Sequence, residues 1–293
     1  MRRDHSLTAG GLVAACYLVF LAATGFAQAK PASDACGEVV TIPTHDRTTT
    51  RYALAPPTTP GPGEPIAIVL LPGGGGHLDL DAKGCPRALK GNSLVRSIPH
   101  FRDLGLVTAL LDSPSDYTGE DGLAGFRASR DHADDLGRVI ADVRARANGL
   151  VWLAGTSRGT ISAANAASRL SGPSAPDGLV LTSALMSGAR SARKPWVTQT
   201  VFDVSLEKIR VPVLVVGHAA DTCVRSLATL MRDITARTNG VREQVVMVTG
   251  GPGTSADTAA SLDACEGRSP HGFTGQEAEV AAGIVRFIRG GTY

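Results

Sequence analysis

Apolar residues along the chain fall into short runs set between longer segments of helical period. Ile66–Leu71, Val107–Leu111, Leu150–Ala154, Leu179–Leu181, Val213–Val216 and Val245–Val248 are Val/Ile/Leu-rich and almost free of polar residues. Such runs predict strands buried on both faces. Between them, Arg127–Ala147 places Leu136, Val139, Ile140 and Val143 on one helical face. Arg225–Arg237 and Gln276–Arg289 read the same way, the second carrying Val280, Ile284, Phe287 and Ile288. Strands alternating with helices predict an α/β fold with a mostly parallel, doubly wound sheet. Ahead of that region, Glu38–Ile42 and Thr49–Leu54 flank His45-Asp46-Arg47 as an antiparallel hairpin, and residues 56–65 form a Pro/Gly/Thr loop. There is no internal repeat and no linker long enough to divide residues 30–293, so one domain is expected.

The N-terminus has a different pattern. Met1-Arg2-Arg3 is basic, residues 12–26 are apolar, and Ala27-Gln28-Ala29 is a small-x-small cleavage site, which together predict an export signal over residues 1–29. An uncleaved anchor is one alternative. A lipoprotein through Val13-Ala14-Ala15-Cys16 is another, but the apolar run continues beyond Cys16, where a lipoprotein turns polar. Composition narrows the partners. A formal net charge of +2 gives no electrostatic reason to expect nucleic acid or an anionic membrane surface. Cys36, Cys85, Cys223 and Cys265 remain after the signal and are far apart in sequence, which excludes zinc-ribbon and Cys-x-x-Cys readings. An even number in an exported chain favours two disulfides, with three pairings open.

Three strand ends carry chemistry, and in doubly wound sheets sites form at the carboxyl ends of strands. Leu150–Ala154 runs into Gly155-Thr156-Ser157-Arg158-Gly159 and then into a small-residue helical segment, Ile161–Leu170. A serine at such a strand-to-helix turn sits in a strained bend, with glycines on either side because a Cβ there meets neighbouring backbone. This arrangement is a nucleophile elbow, with a helix N-terminus beneath to stabilise negative charge. Ile66–Leu71 leaves into Pro72-Gly73-Gly74-Gly75-Gly76-His77. A glycine-rich exit lets main-chain N–H groups face an oxyanion, so Gly74 or Gly75 is expected to act with the N–H of Arg158. The Lys-Ser/Thr ending of a phosphate-binding loop is absent, and His77 is expected to shape the pocket. Val213–Val216 is followed by Asp221, placed to orient a histidine; Asp203, Asp112 and Asp116 are the fallback acids. The base is read as His271 in Ser269-Pro270-His271-Gly272-Phe273, which alone of the histidines follows both Ser157 and Asp221. His132 is expected to make a structural hydrogen bond and His218 to support the site, whereas His45 and His100 have no catalytic context.

The chain order Ser157, Asp221, His271 resembles the α/β-hydrolase superfamily over residues 38–293, as do the elbow, the glycine-rich loop and the His-Gly-Phe loop. The combination is similar to exported bacterial hydrolases of this superfamily. The His-Gly-Phe stretch also resembles dienelactone-hydrolase relatives, but those use a cysteine nucleophile where this chain has Ser157, so lactone specificity does not carry over. The resemblance implies acyl transfer to water without metal or organic cofactor, with a small-molecule ester as first choice of substrate. A peptidase or amidase on the same three residues, or a noncatalytic binding protein, are the rivals.

If the three residues assemble, Cys223 and Cys265 lie in loops of one rim. That favours the pairings Cys223–Cys265 and Cys36–Cys85. Only residues 186–210 separate the sixth strand from the next, too few for a large helical cap. Trp196, Val197, Val201 and Phe202 are candidates for an apolar pocket wall.

Overall fold

The computed structural model describes Met1, residues 36–189, residues 194–252 and residues 259–293. The expected signal segment, Cys16 included, falls outside them.

Eight strands form one sheet: β1 (Glu38–Pro43), β2 (Thr49–Ala55), β3 (Ile66–Leu71), β4 (Val107–Pro114), β5 (Leu150–Thr156), β6 (Gly178–Thr182), β7 (Val213–His218) and β8 (Glu243–Val248). Their spatial order is β1-β2-β4-β3-β5-β6-β7-β8. The β1–β2 and β2–β4 pairs are antiparallel, while every pairing from β4 through β8 is parallel. The predicted hairpin is therefore the β1–β2 pair, with Val40 opposite Tyr52.

Among the described residues, five α-helices cover the sheet: α1 (Ser93–Asp103), α2 (Arg130–Ala147), α3 (Gly159–Arg169), α4 (Met231–Thr235) and α5 (Glu277–Ile288). Strand β3 shows why its sequence lacks alternation. Ala67, Val69 and Leu71 pack on the side of α2 and α3, whereas Ile66, Ile68 and Leu70 pack on the side of α1 and α5. Both faces need apolar side chains because each meets a helical layer. No helix among the described residues is long and apolar enough to cross a membrane.

Two helical expectations need correction. Helix α2 begins at Arg130, not Arg127, because the Ser129 side chain caps it by accepting from the His132 N–H. Arg127 ends a separate 3-10 segment, Ala124–Ala128. The expected helix over Arg225–Arg237 shrinks to a 3-10 turn at Ala228–Leu230 followed by α4. Its first residues are held elsewhere, since the Arg225 carbonyl accepts from Met186 and Ser187 and the Cys223 carbonyl accepts from Ser226. Helix α1 lies outside the predicted segments; it contains Pro99 and begins at Ser93 behind the N-cap Asn92, whose side chain accepts from the Leu94 N–H.

Candidate active site

The elbow owes its shape to tight packing around Ser157. Strand β5 ends at Thr156, Ser157 takes φ +50°, and α3 begins at Gly159. A left-handed serine costs roughly 1–2 kcal/mol, and the surroundings leave little alternative. Its N–H donates to the Thr182 carbonyl at 3.0 Å. A Cβ on Gly155 would stand 2.5 Å from the Gly159 carbonyl oxygen, and one on Gly159 only 2.0 Å from that of Leu71. Strand and helix can meet at this angle only with glycine at both places. Arg158 follows Ser157 at the N-terminal edge of α3, and its N–H makes no hydrogen bond among the described residues.

The glycine-rich exit of β3 lies against this bend. A Cβ on Gly73 would come 2.8 Å from the Cβ of Ser157, so the loop approaches the serine as closely as main chain allows. Of the two glycines expected to donate, Gly74 lines the cavities at Ser157. Gly75 lines neither; it packs toward Gly122, and its carbonyl accepts from the Leu123 N–H at 2.8 Å. Gly74, rather than Gly75, lies at Ser157.

Beneath the loop lies a residue that sequence reasoning missed. Arg127 is 1% exposed and donates to the carbonyls of Pro72 and Gly74, both at 3.2 Å, and to Ser162 Oγ at 2.9 Å. Its Nε is buried without a partner, and no carboxylate pairs with it among the described residues. Burial pushes its pKa well below the usual guanidinium range, and the nearby charge of Arg158 adds to the effect. A single arginine ahead of a helix carries no signal of this role, which arises from the loop that folds over it.

Asp221 and His271, the expected acid and base, meet in the structure. His271 Nδ1 lies 2.8 Å from Asp221 Oδ2, with side-chain exposures of 4% and 2%. A carboxylate acceptor fixes the hydrogen on Nδ1 and leaves a lone pair on Nε2. That Nε2 is buried and has no hydrogen-bond partner among the described residues, so a bond to Ser157 Oγ is not made in this structure. Catalytic hydrogen bonds are often completed only when substrate binds. Ser183 Oγ donates to the His271 carbonyl at 2.6 Å and fixes the loop. His218 supports the acid: its Nδ1 accepts from Ala220, its Nε2 faces the Gly250 carbonyl and Gln276 Oε1, and its carbonyl accepts from the Asp221 N–H.

Two disulfides join Cys36 to Cys85 and Cys223 to Cys265, the pairings expected from the sequence. The second ties the Asp221 loop to the segment leading to His271. Asp221, Cys223 and His271 cluster as candidate metal ligands. With the Cys223 sulfur committed to its bridge, only two ligands remain, fewer than a protein metal site needs.

Ser157 opens onto two cavities. The larger, about 460 Å³, is lined by Gly73, Gly74, Ser157 and His271, together with Leu89 and Arg268. The smaller, about 250 Å³, is lined by Gly74, Ser157, Arg158, Trp196, Val197 and Arg225 among others, and not by His271.

Solved structures share this arrangement of strands. An α/β serine hydrolase without lid from Xanthomonas campestris matches with a TM-score of 0.51 at 17% identity, over 82% of this chain and 91% of that one. An α/β serine hydrolase homologue from Coxiella burnetii matches with a TM-score of 0.54 at 18% identity, over 86% and 97%. Esterase 2 from Thermogutta terrifontis, phosphonylated by sarin, matches with a TM-score of 0.56 at 16% identity, over 89% and 97%. The fold is that of the α/β-hydrolases. No protein-family model matches the chain, and no curated protein matches it in sequence.

Within this α/β-hydrolase fold the remaining candidates take other places. As expected, no large cap is built over the site: the described part of residues 186–210 forms only three 3-10 turns. Trp196 and Val197 reach the smaller cavity. Val201 is buried in the core, and Phe202 packs beneath Arg237, so the expected wall is half as long. His77 lines neither cavity; its Nδ1 lies 3.1 Å from Ser113 Oγ and 3.2 Å from Asp112 Oδ1. Asp112 accepts from the Leu78 and Leu80 N–H groups and anchors the exit of the glycine loop. Asp203 closes a capping box with Thr200, and Asp116 pairs with His45. His132 departs from expectation. It is buried with neither ring nitrogen hydrogen-bonded, beside Arg127 and Phe126.

Proposed function

We propose that this chain is a serine hydrolase that cleaves carboxylic esters of small acyl compounds through an acyl-enzyme. The observation that carries the reading is Ser157 at φ +50° on a strand-to-helix bend, opening into the cavity lined by His271, whose Nδ1 lies 2.8 Å from Asp221. Ser157 Oγ attacks the ester carbonyl as His271 Nε2 takes its proton. Asp221 stabilises the resulting imidazolium. The N–H groups of Arg158 and Gly74 hold the oxyanion. His271 returns the proton to the leaving alcohol, and water then repeats the sequence on the acyl-enzyme. Main-chain amides and three side chains supply every step.

The likeness to serine hydrolase structures, one of them an esterase phosphonylated by sarin, supports the nucleophilic role of Ser157. The open pocket, without a large helical cap, supports short soluble substrates over long lipids. Hydrolysis of short aryl esters, with aminoacyl amides left intact, is the expected outcome of a substrate panel. Cleavage of the amides at comparable kcat/KM would move the assignment to a peptidase.

The reading includes export, with residues 1–29 removed as a signal. Two disulfides support it, because such bridges persist in oxidising compartments. The intact mass of the exported protein should correspond to a chain starting at Lys30. Retention of residues 12–26, or a lipid on Cys16, would overturn it.

A further inference from the structure

We infer that the smaller cavity at Ser157 binds an acyl chain ending in a carboxylate, so that the preferred substrates are monoesters of dicarboxylic acids. This rests on the serine hydrolase reading and names the substrate class for the same site. Two arginines carry it. Arg158 and Arg225 both line the 250 Å³ cavity with Ser157, and neither is ion-paired to a carboxylate among the described residues. The Arg158 guanidinium carbon lies 4.0 Å from the centroid of the Trp196 ring. Stacking occupies the face of a guanidinium and leaves its in-plane N–H groups free for a two-pronged grip on a carboxylate. Arg225 uses Nη1 on the carbonyls of Ser187 and Val197, at 3.2 and 3.0 Å. Its Nε and Nη2 donate to nothing among the described residues.

Burial also weighs on both cations. It brings the Arg158 pKa down to about 10, with Asp121 opposing it and the charge of Arg225 adding a smaller push downward. The one carboxylate acting on Arg158, Asp121, is itself ion-paired to Lys194. A cavity lined by two cations held partly out of water, neither paired to a carboxylate among the described residues, favours a bound anion.

The position of His271 decides which part of the ester carries the charge. The general acid must reach the leaving oxygen, so the alcohol occupies the cavity that His271 lines. The acyl chain takes the other cavity, where the arginines are. Its volume lies below the roughly 300–1,000 Å³ of pockets for drug-sized ligands, which fits a short chain. Leu185 and Leu262 supply apolar wall for the methylenes. Water and the monoester give the dicarboxylic acid and the alcohol, with no other reactant.

The test compares ethyl hydrogen adipate with ethyl hexanoate, which has the same chain length without the second carboxylate. The charged ester should show a kcat/KM roughly ten- to a hundredfold higher, in line with hydrogen bonds to a charged group. Most of the difference should lie in KM, and it should shrink as salt rises. The ratio should fall toward one in Arg225→Gln and Arg158→Gln and be partly kept in Arg225→Lys. Equal or lower kcat/KM for the charged ester in the wild type overturns the inference while leaving the hydrolase reading intact. Calorimetric binding of adipate against hexanoate tests the cavity without turnover and without a variant that has to fold. Adipate should bind at least roughly tenfold more tightly; equal binding overturns the inference. Adipate bound through Arg225 in a protein that cleaves no ester would overturn the hydrolase reading alone.

Discussion

His271 Nδ1 lies 2.8 Å from Asp221 Oδ2, although 50 positions separate the two in the chain. Both belong to loops leaving the carboxyl side of the sheet, and both are buried, so each finds its partner in the other and not in water. The carboxylate sets which ring nitrogen carries the hydrogen. Asp221→Asn places an amide against Nδ1, whose N–H group favours the opposite tautomer. The kcat on short esters should fall by about 10³–10⁴ with a far smaller change in KM. A loss below tenfold would remove Asp221 from the mechanism.

Arg127 holds the glycine-rich loop from below through the Pro72 and Gly74 carbonyls. Because the cation is buried without a carboxylate partner among the described residues, an apolar residue of similar length need not destabilise the fold. Arg127→Met should lower kcat on the order of tenfold through loss of loop position and of positive potential behind the oxyanion. Thermal unfolding should move by only a few degrees. A large drop in melting temperature with kcat retained would make Arg127 a purely structural residue.

The two disulfides should differ in effect. Closing a loop of this length stabilises by up to about 4 kcal/mol, and the two loops are similar in size, with sequence separations of 49 and 42. Only the Cys223–Cys265 bridge spans the loops that carry Asp221 and His271. Cys223→Ser with Cys265→Ser should therefore lower both melting temperature and kcat/KM, whereas Cys36→Ser with Cys85→Ser should lower melting temperature alone. Equal losses of activity in the two double variants would contradict this.

His132 gives the protein an acid-side weakness. Burial first, then the charges of Arg127 and His45, push its pKa down to about 3. The unfolded chain takes up that proton below about pH 6.5 while the folded chain resists. Stability from this residue is thus full above pH 6.5 and falls as pH drops toward 3, by about 2 kcal/mol at pH 5. His132→Leu should flatten the decline measured by urea unfolding between pH 7 and 5. His45 acts in the opposite sense. Burial lowers its pKa, but hydrogen bonds and charges of Asp135 and Asp116 raise it further, so its stabilisation is lost as pH rises through the folded value.

Much of this architecture could be read from the chain because buried parallel strands and a strand-to-helix serine leave strong local patterns. Six strands fall where Val/Ile/Leu runs predict them; β3 to β7 are buried between helical layers, whereas β8 lies at the sheet edge and leaves Met247 exposed. The bend at Ser157 and the meeting of Asp221 with His271 were legible from chain order and from their places after strands. What escaped depends on contacts distant in sequence. Arg127 looks like a helix start until the glycine loop folds over it. Gly74 and Gly75 are alike in sequence and differ only because Leu123 claims the Gly75 carbonyl. The expected helix at Arg225 yields because the Cys223 bridge and the strand β6 exit hold its first turn. Helix α1 was hidden by Pro99.

The central claim is that the Ser157 hydroxyl is an activated nucleophile. A fluorophosphonate probe on the folded protein, followed by peptide mass mapping, addresses it most directly. The account predicts one covalent adduct, on the peptide containing Ser157, and none in Ser157→Ala at an unchanged melting temperature. A folded wild-type protein left unlabelled, or labelling that persists in Ser157→Ala, would contradict it.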